Sequence, residues 1–269
     1  SLNRNAQKMK KGLELIGMNL LAISGYFLLA MFAKAGFSWQ TSAITLWPSS
    51  GFANALALTS GWAILPGLAI GNFIGTACNP NTGCSIQPFM VPVAIAAAAQ
   101  AALVRHALVN QNLLNDPLTR ISRLLAFLLW IGPIGNWPAS LTFLLYRLVH
   151  QIPELPLYQI FSGSLFWWLG DSLGSLLLLP LLFLFLPFTK PIWQERKPYL
   201  INPLLALITV IICIALIEKN LLESINPTLN ILEPLQNLRI LATCAWTILT
   251  FSLLGLILQV GGKSLEQEK

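Results

Sequence analysis

Charged side chains are scarce in this chain. Asp, Glu, Lys and Arg make up 10% of its 269 residues, whereas soluble domains carry about 25%. No stretch has the balanced charge that a soluble domain of ordinary size requires, so the composition excludes that class and indicates an integral membrane protein. The net charge of +6 is spread over the segments between apolar runs. There it suits membrane lipid headgroups as partners and gives no reason to expect nucleic acid.

Histidine is rarer still, and the recognised catalytic motifs are missing. His106 and His150 stand alone, without the spaced Cys, His or Glu partners of a metal site. The chain has no glycine motif for nucleotides, no nucleophile elbow and no kinase motif set. We therefore expect no catalytic residue, no metal and no cofactor, and no enzymatic activity in this chain.

Apolar runs are what the chain has in abundance. Runs of about 18 residues or more with almost no charge are typical of transmembrane helices, and they recur from Leu13 to the C-terminus. The predicted fold class is an all-α integral membrane bundle of about eight transmembrane helices, some of them broken. The predicted spans lie near 13–33, 41–60, 63–77, 89–108, 124–149, 157–188, 200–217 and 238–260. The predicted domains are an N-terminal segment at 1–12, a polytopic membrane domain at 13–260 and a polar segment at 261–269.

The distribution of basic residues predicts the orientation. Eight spans put both termini on one side of the membrane, and 12 of the 16 Lys and Arg residues fall on that side. The positive-inside rule then places both termini in the cytoplasm. The segment that contains Cys78 and Cys84 faces outward in this topology, where disulfides are permitted. The two cysteines are either bridged or free thiols.

The most informative residue is Asp171, an acid inside the apolar run 157–188. A charge at the centre of a span costs about 2.5–3.5 kcal/mol on insertion scales, so an intramembrane acid marks a functional site by default. Gly170 and Gly174 lie four residues apart on one helix face and allow another helix to pack closely. Asp171 binds a ligand or cation, relays a proton, or bonds neighbouring helices together. Arg147 is its nearest cationic candidate by topology.

Three other spans carry a break or a polar residue at the same depth. The segment Trp47-Pro48-Ser49-Ser50-Gly51 indicates either a helix that begins inside the membrane or a proline kink. Helix breaks at membrane depth are tolerated only beside protein or a water-filled cavity, so we expect a pocket that opens to the outside. The predicted ligand or signal pocket is lined by Trp47, Ser49, Ser50, Asn54, Asn72, Asn136, Trp137, Trp168 and Asp171.

Three blocks of residues resemble a known family. They are Leu46-Trp47-Pro48-Ser49-Ser50-Gly51, then Gly61-Trp62-Ala63-Ile64-Leu65-Pro66-Gly67 with Gly71-Asn72, then Trp167-Trp168-Leu169-Gly170-Asp171-Ser172-Leu173-Gly174 with Leu179-Pro180. Their order and spacing are similar to those of the membrane-associated sensor domain of the first type, the MASE family. The resemblance covers the chain from the second span to the seventh. Ser49 departs from the pattern, because the family more often carries proline or alanine at that position.

The resemblance implies a function. It implies a bacterial sensor domain of about eight helices in the cytoplasmic (inner) membrane, followed in cis by a histidine kinase or diguanylate cyclase. Residues 261–269 would then begin a linker to a cytoplasmic output domain, and a homodimer is expected because such outputs work as dimers. The signal is a small-molecule ligand or a membrane partner protein. The competing function is a small-molecule transporter or channel subunit that uses the same polar pocket.

Overall fold

The chain folds almost entirely into helices. A computed structural model describes residues 2–37, 46–114, 120–150, 157–185, 191–224, 242 and 244–259. The helices are α1 (Leu2–Phe37), α2 (Pro48–Ser60), a 3₁₀ turn (Gly61–Ile64), α3 (Leu65–Ala77), α4 (Met90–Asn110), α5 (Ile121–Ile131), α6 (Pro138–Val149), α7 (Leu157–Phe185), α8 (Pro191–Ser224) and α9 (Cys244–Gln259). The strands β1 (Cys78–Asn79) and β2 (Gly83–Cys84) form a short hairpin.

By length and composition alone, four of the described stretches are candidates for a membrane span, and one of them, Pro48–Ala77, is divided by the 3₁₀ turn. The four stretches are Met9–Gly36, Pro48–Ala77, Met90–Asn110 and Ile160–Phe185. Shorter apolar helices occupy Ile121–Ile131, Pro138–Val149, Lys197–Cys213 and Cys244–Gln259. The all-helical class is therefore confirmed, together with several helices compatible with a membrane. The predicted domain segment at 261–269 and the first residues of the second predicted span, 41–45, lie outside the described residues.

The helix α2 begins at Pro48 and runs antiparallel to α1. Pro48 occupies the first turn of the helix, after Trp47 at the N-cap, where its missing N–H costs no hydrogen bond. Near that start, the Ser49 hydroxyl donates to the Tyr26 carbonyl at 3.2 Å. At the other end, Ser60 Oγ lies 3.8 Å from Met18 Sδ. Of the two interpretations of this motif, the structure shows a helix start.

The chain reverses at the 3₁₀ turn, so that α3 runs back parallel to α1. The Gly67 N–H donates to Asn19 Oδ1 at 2.7 Å, and Lys34 Nζ donates to the Thr76 carbonyl at 2.9 Å. The segment Pro48–Ala77 is therefore two short antiparallel helices. Each has 13 residues and is about 20 Å long, less than the roughly 30 Å of a hydrocarbon core.

Helix neighbours place α7 beside the start of α2. Helices α1 and α4 each pack against both α2 and α3, which gives a ring of four helices. Helix α7 packs along α2, and α5 and α6 run antiparallel to α7. Two aromatic contacts show this antiparallel direction. The ring centroids of Phe127 in α5 and Phe183 near the end of α7 are 6.2 Å apart, and those of Phe143 in α6 and Trp167 earlier in α7 are 5.1 Å apart. Helix α8 covers α7 and touches α1.

Small residues let α3 approach α1 closely. A Cβ atom at Gly67 would lie 2.7 Å from Asn19 Oδ1 and 2.8 Å from the Asn19 carbonyl oxygen. Gly71 and Gly75 repeat this close contact at intervals of four residues along the same face of α3. The spacing is the small-residue stripe by which membrane helices pack when no water drives them together.

The hairpin beyond α3 carries a disulfide. Cys78 and Cys84 pair across β1 and β2 and are joined sulfur to sulfur. Of the two states that the sequence left open, the structure shows the bridged one. Lys34 Nζ also donates to the Cys78 carbonyl at 2.5 Å, so a cation occupies the carbonyl end of α3, where the helix dipole favours positive charge.

Substitution of Gly67 by alanine is expected to destabilise the bundle. The added methyl group would collide with Asn19 backbone atoms, and overpacking of this kind costs about 1–3 kcal/mol. Gly17→Ala in α1 is the matched control, because nothing lies within 4 Å of a Cβ atom built at Gly17. Unfolding free energies in mixed micelles measure both variants. Equal stability of the two variants would contradict the close approach of α1 and α3.

Thiol alkylation of denatured, unreduced protein is expected to modify the free Cys213 and Cys244 and to spare Cys78 and Cys84. Reduction before alkylation should add two modified residues. Mass spectrometry of peptides from membrane preparations counts them. Modification of Cys78 without reduction would show that the hairpin is not bridged.

Candidate functional site

The start of α2 is bound directly to α7. The Trp47 N–H donates to the Gly170 carbonyl at 3.1 Å, and the Ser50 hydroxyl donates to Asp171 Oδ1 at 2.5 Å. A Cβ atom at Gly174 would lie 2.0 Å from the Trp47 carbonyl oxygen, so no other residue fits there. Gly170 and Gly174 thus form the close contact surface through which α7 meets α2.

Asp171 is buried without a cation. Its side chain is 2% exposed, and Oδ2 accepts a hydrogen bond from Gln100 Nε2 at 3.3 Å. Arg147, the expected partner, instead lies over the Phe143 ring, 5.2 Å from its centroid. Within the described residues no basic side chain pairs with Asp171. Two neutral donors and the positive N-terminal end of α2 surround this carboxyl group.

Asn136 occupies the break between α5 and α6 and binds the end of α5. Its Nδ2 donates to the carbonyls of Ile131 and Gly132 at 2.6 and 2.7 Å, which satisfies the C-terminal end of α5. Its Oδ1 accepts from Gln100 Nε2 at 2.8 Å. Gln100 therefore connects Asn136 to Asp171 with one amide nitrogen.

A second connection reaches Asn136 from α2 and α7. Asn54 Nδ2 donates to Ser175 Oγ at 2.9 Å and lies 3.4 Å from Asn136 Oδ1. The Ser175 hydroxyl donates to the same Asn136 oxygen at 3.3 Å. Ser175 follows Asp171 by four residues, so both side chains lie on one face of α7. The starts of α2 and α6 therefore meet on that face.

Tyr26 extends the bonded set to α1 and α3. Its hydroxyl oxygen accepts from Trp47 Nε1 at 3.0 Å and from Asn72 Nδ2 at 2.6 Å. The Ser49 hydroxyl donates to the Tyr26 backbone carbonyl. These bonds hold the start of α2 to α1 on the side opposite α7.

Together these side chains form what we call the polar network. It comprises Tyr26, Trp47, Ser49, Ser50, Asn54, Asn72, Gln100, Asn136, Asp171 and Ser175, all 7% exposed or less. The network joins α1, α2, α3, α4, the α5–α6 break and α7. Most of the predicted pocket residues therefore come together, and in this conformation their side chains bond to one another.

Two predicted pocket residues lie at or beyond the edge of the network. Trp168 Nε1 donates to the Pro133 carbonyl at 2.8 Å, which fixes α7 to the α5–α6 break. Trp137 was predicted to line the pocket, but its side chain is 44% exposed and lies outside the network. Successive residues at a helix start point in different directions, so the inward position of Asn136 turns Trp137 away.

The sequence prediction missed Tyr26, Gln100 and Ser175. Gln100 is an amide within an apolar, alanine-rich span, the same signal that singled out Asn72. Ser175 was available from its spacing of four residues after Asp171. Tyr26 gave no comparable signal, because a single tyrosine in an apolar helix is compatible with ordinary packing.

No protein-family model, curated protein or solved structure matches this chain. The resemblance to the MASE family therefore depends on the three residue blocks themselves. Each block contributes to the polar network: the first supplies Trp47, Ser49 and Ser50, the second supplies Asn72, and the third supplies Asp171.

Among single substitutions in the polar network, Asn136→Ala is expected to destabilise the bundle most. It leaves the Ile131 and Gly132 carbonyls and several donors without partners, and each orphaned group costs about 1–3 kcal/mol. We expect a loss of roughly 3 kcal/mol or more in unfolding free energy. Asn81→Ala in the exposed hairpin loop is the control and should be neutral. A cost below that of Ser49→Ala would refute the central position of Asn136.

Proposed function

We propose that this chain is the membrane-integral sensory input module of a bacterial signalling protein in the cytoplasmic membrane, with a histidine kinase or diguanylate cyclase as output. The observation that carries the proposal is the position of Asp171. One buried acid bonds to the start of α2 through Ser50 and, by way of Gln100, to the α5–α6 break at Asn136. A change at Asp171 would therefore act on two helix breaks together.

The packing offers a route from the polar network to the last described helix. Helix α5 ends at the carbonyls that Asn136 binds, and a Cβ atom at Gly255 of α9 would lie 3.5 Å from Leu128 of α5. Leu254 and Leu258 of α9 are fully buried. A shift of α5 at its break would displace α9, from which the chain continues toward the proposed output domain. To move an output from 1:99 to 99:1, the signal must favour one state by about 5.5 kcal/mol.

The helix directions support the proposed eight-span topology with cytoplasmic termini. Helices α2, α4 and α7 run in one direction. Near the ends of α4 and α2, the Arg105 guanidinium meets the Ala57 carbonyl. Along α2 and α7, Ser50 meets Asp171 and Asn54 meets Ser175. Helices α1, α3 and the pair α5–α6 run the other way. In the proposed orientation the polar network and the disulfide hairpin lie in the outer half of the bundle. The proposed assembly is a homodimer, as the kinase or cyclase output requires.

A transporter is the competing function, and one observation favours it. Discontinuous helices whose N-termini meet at a buried polar site are typical of secondary transporters. The α2 start and the α5–α6 break have this arrangement around Asp171. A transporter must also expose that site alternately to both sides of the membrane, and solute flux is what distinguishes the two functions.

Asp171→Asn in the full-length gene product is expected to change basal output activity by about tenfold or more, which corresponds to about 1.4 kcal/mol in the balance of states. The neutral amide cannot accept from both Ser50 and Gln100 as the carboxylate does. Autophosphorylation or cyclic dinucleotide synthesis in membrane vesicles measures the output. Glu195→Gln, an exposed acid on α8, is the control.

The opposite result has its own signature. A reading frame that stops close to Lys269, with saturable uptake of a labelled metabolite mixture into liposomes that contain this chain alone, would replace the sensor by the transporter. Loss of that uptake in Asp171→Asn would assign the transport site to the polar network.

A further inference from the structure

We propose that the ligand sensed by the polar network is the proton, which binds to Asp171 and changes the hydrogen bonding at both helix breaks. The inference rests on the proposed sensory function and names its input. It follows from the number and direction of the hydrogen bonds around the carboxyl group.

The polar network has little to offer an organic ligand in this conformation. Among the buried side-chain polar atoms of the described chain, the hydroxyls of Ser172 and Thr250 alone lack a partner, and neither belongs to the network. A ligand at Asp171 would have to displace bonds that hold the helices together. A proton requires no such space.

The two described side chains that bond to Asp171, those of Ser50 and Gln100, are both donors. The orientation of the Gln100 amide is fixed by Asn136. Asn136 Nδ2 is held by two backbone carbonyls of α5, so its oxygen must face Gln100. Gln100 then turns Nε2 toward Asn136 and Asp171, while its oxygen lies 3.5 Å from the Ala139 N–H. The arrangement suits an ionised, acceptor-only carboxylate.

A proton on Oδ2 cannot be added without the loss of a bond. The new O–H would face the Gln100 N–H, and two donors cannot bond to each other. Rotation of the Gln100 amide would present its oxygen to Asp171. The same rotation removes the 2.8 Å bond to Asn136 and so releases the α5–α6 break.

A proton on Oδ1 meets the same restriction on the other side. The new O–H must donate to Ser50 Oγ, whose own hydrogen then needs another acceptor. The Tyr26 hydroxyl, which is bonded to the same helix start, already accepts from Trp47 and Asn72. A hydroxyl oxygen has two acceptor sites, so Ser50 can donate to it only if one of these donors leaves, which releases the α2 start or α3.

No titratable side chain described on the surrounding helices forms an ion pair or hydrogen bond with Asp171. Of the titratable and charged side chains described on the surrounding helices, Tyr26 is the one that reaches the polar network. Seven others contact groups outside the network: Lys34 at the Thr76 and Cys78 carbonyls, Arg105 at Ala57 and Leu58, Arg123 at Asn112, Arg147 and Lys197 over Phe143 and Phe185, and His106 and His150 beside Asn110 and Tyr146. A proton at Asp171 therefore meets no compensating charge from these groups.

Infrared difference spectra of this chain in lipid nanodiscs test the proposal. Acidification over roughly pH 8 to pH 5, the range of physiological titrations, should produce the carbonyl band of a protonated, buried carboxylic acid. The band should be lost in Asp171→Asn and retained in Glu195→Gln. The chain has ten acidic residues, which keeps the background small. Absence of the band from the parent spectrum, or its persistence in Asp171→Asn, would overturn the proposal.

A measurement on the unmodified chain covers the case in which the variant does not fold. Hydrogen–deuterium exchange, corrected for the intrinsic effect of pH, should increase on acidification at residues 46–51 or 131–139. Residues 204–211 of α8, which contribute no side chain to the polar network, serve as the internal control. Uniform exchange changes would reject the proton as ligand. The sensor proposal would still be decided by the output and flux experiments, which are carried out at one pH and do not assume that the proton is the ligand.

Discussion

The contact between the start of α2 and α7 is the constraint on which the rest of the structure depends. A helix that begins inside an apolar bundle leaves backbone N–H groups without partners, and lipid supplies none. Here Pro48 has no N–H, Trp47 donates to the Gly170 carbonyl, and Ser50 N–H returns to the Trp47 carbonyl. Gly174 makes this possible, because any side chain there would collide with Trp47. Asp171 then lies where the positive end of α2 is directed.

The two helix breaks form one unit because amide side chains have two different ends. Asn136 uses its nitrogen to complete α5 and its oxygen to receive Gln100. Gln100 uses one nitrogen for both Asn136 and Asp171. The orientation of each amide therefore depends on its neighbour, and the loss of one bond removes the reason for the next. Hydrogen-bond networks of this kind are worth more together than as separate pairs.

The sequence predicts which polar residues share one level of the bundle better than it predicts their lateral contacts. Counting along alternating spans puts Asn72, Asn136 and Asp171 at a similar level, and all three belong to the polar network. Which groups touch depends on helix rotation and packing. For that reason Arg147 lies over Phe143, while Gln100, which the sequence argument passed over, bonds to Asp171. The exposure of Trp137 has the same origin, since its direction depends on where α6 begins.

Neutral partners around Asp171 also bear on whether the acid is merely structural. A buried group kept only to hold helices together gains nothing from being ionisable, and apolar replacements of buried ionic groups are often equally stable. Asn at position 171 would carry no charge and would offer one acceptor oxygen in place of two. The α2 start, the Gln100 amide and the Ser50 hydroxyl are all arranged instead for an acceptor that carries charge. Such an arrangement fixes one register of the bundle while the charge is present and withdraws its support when the charge is lost.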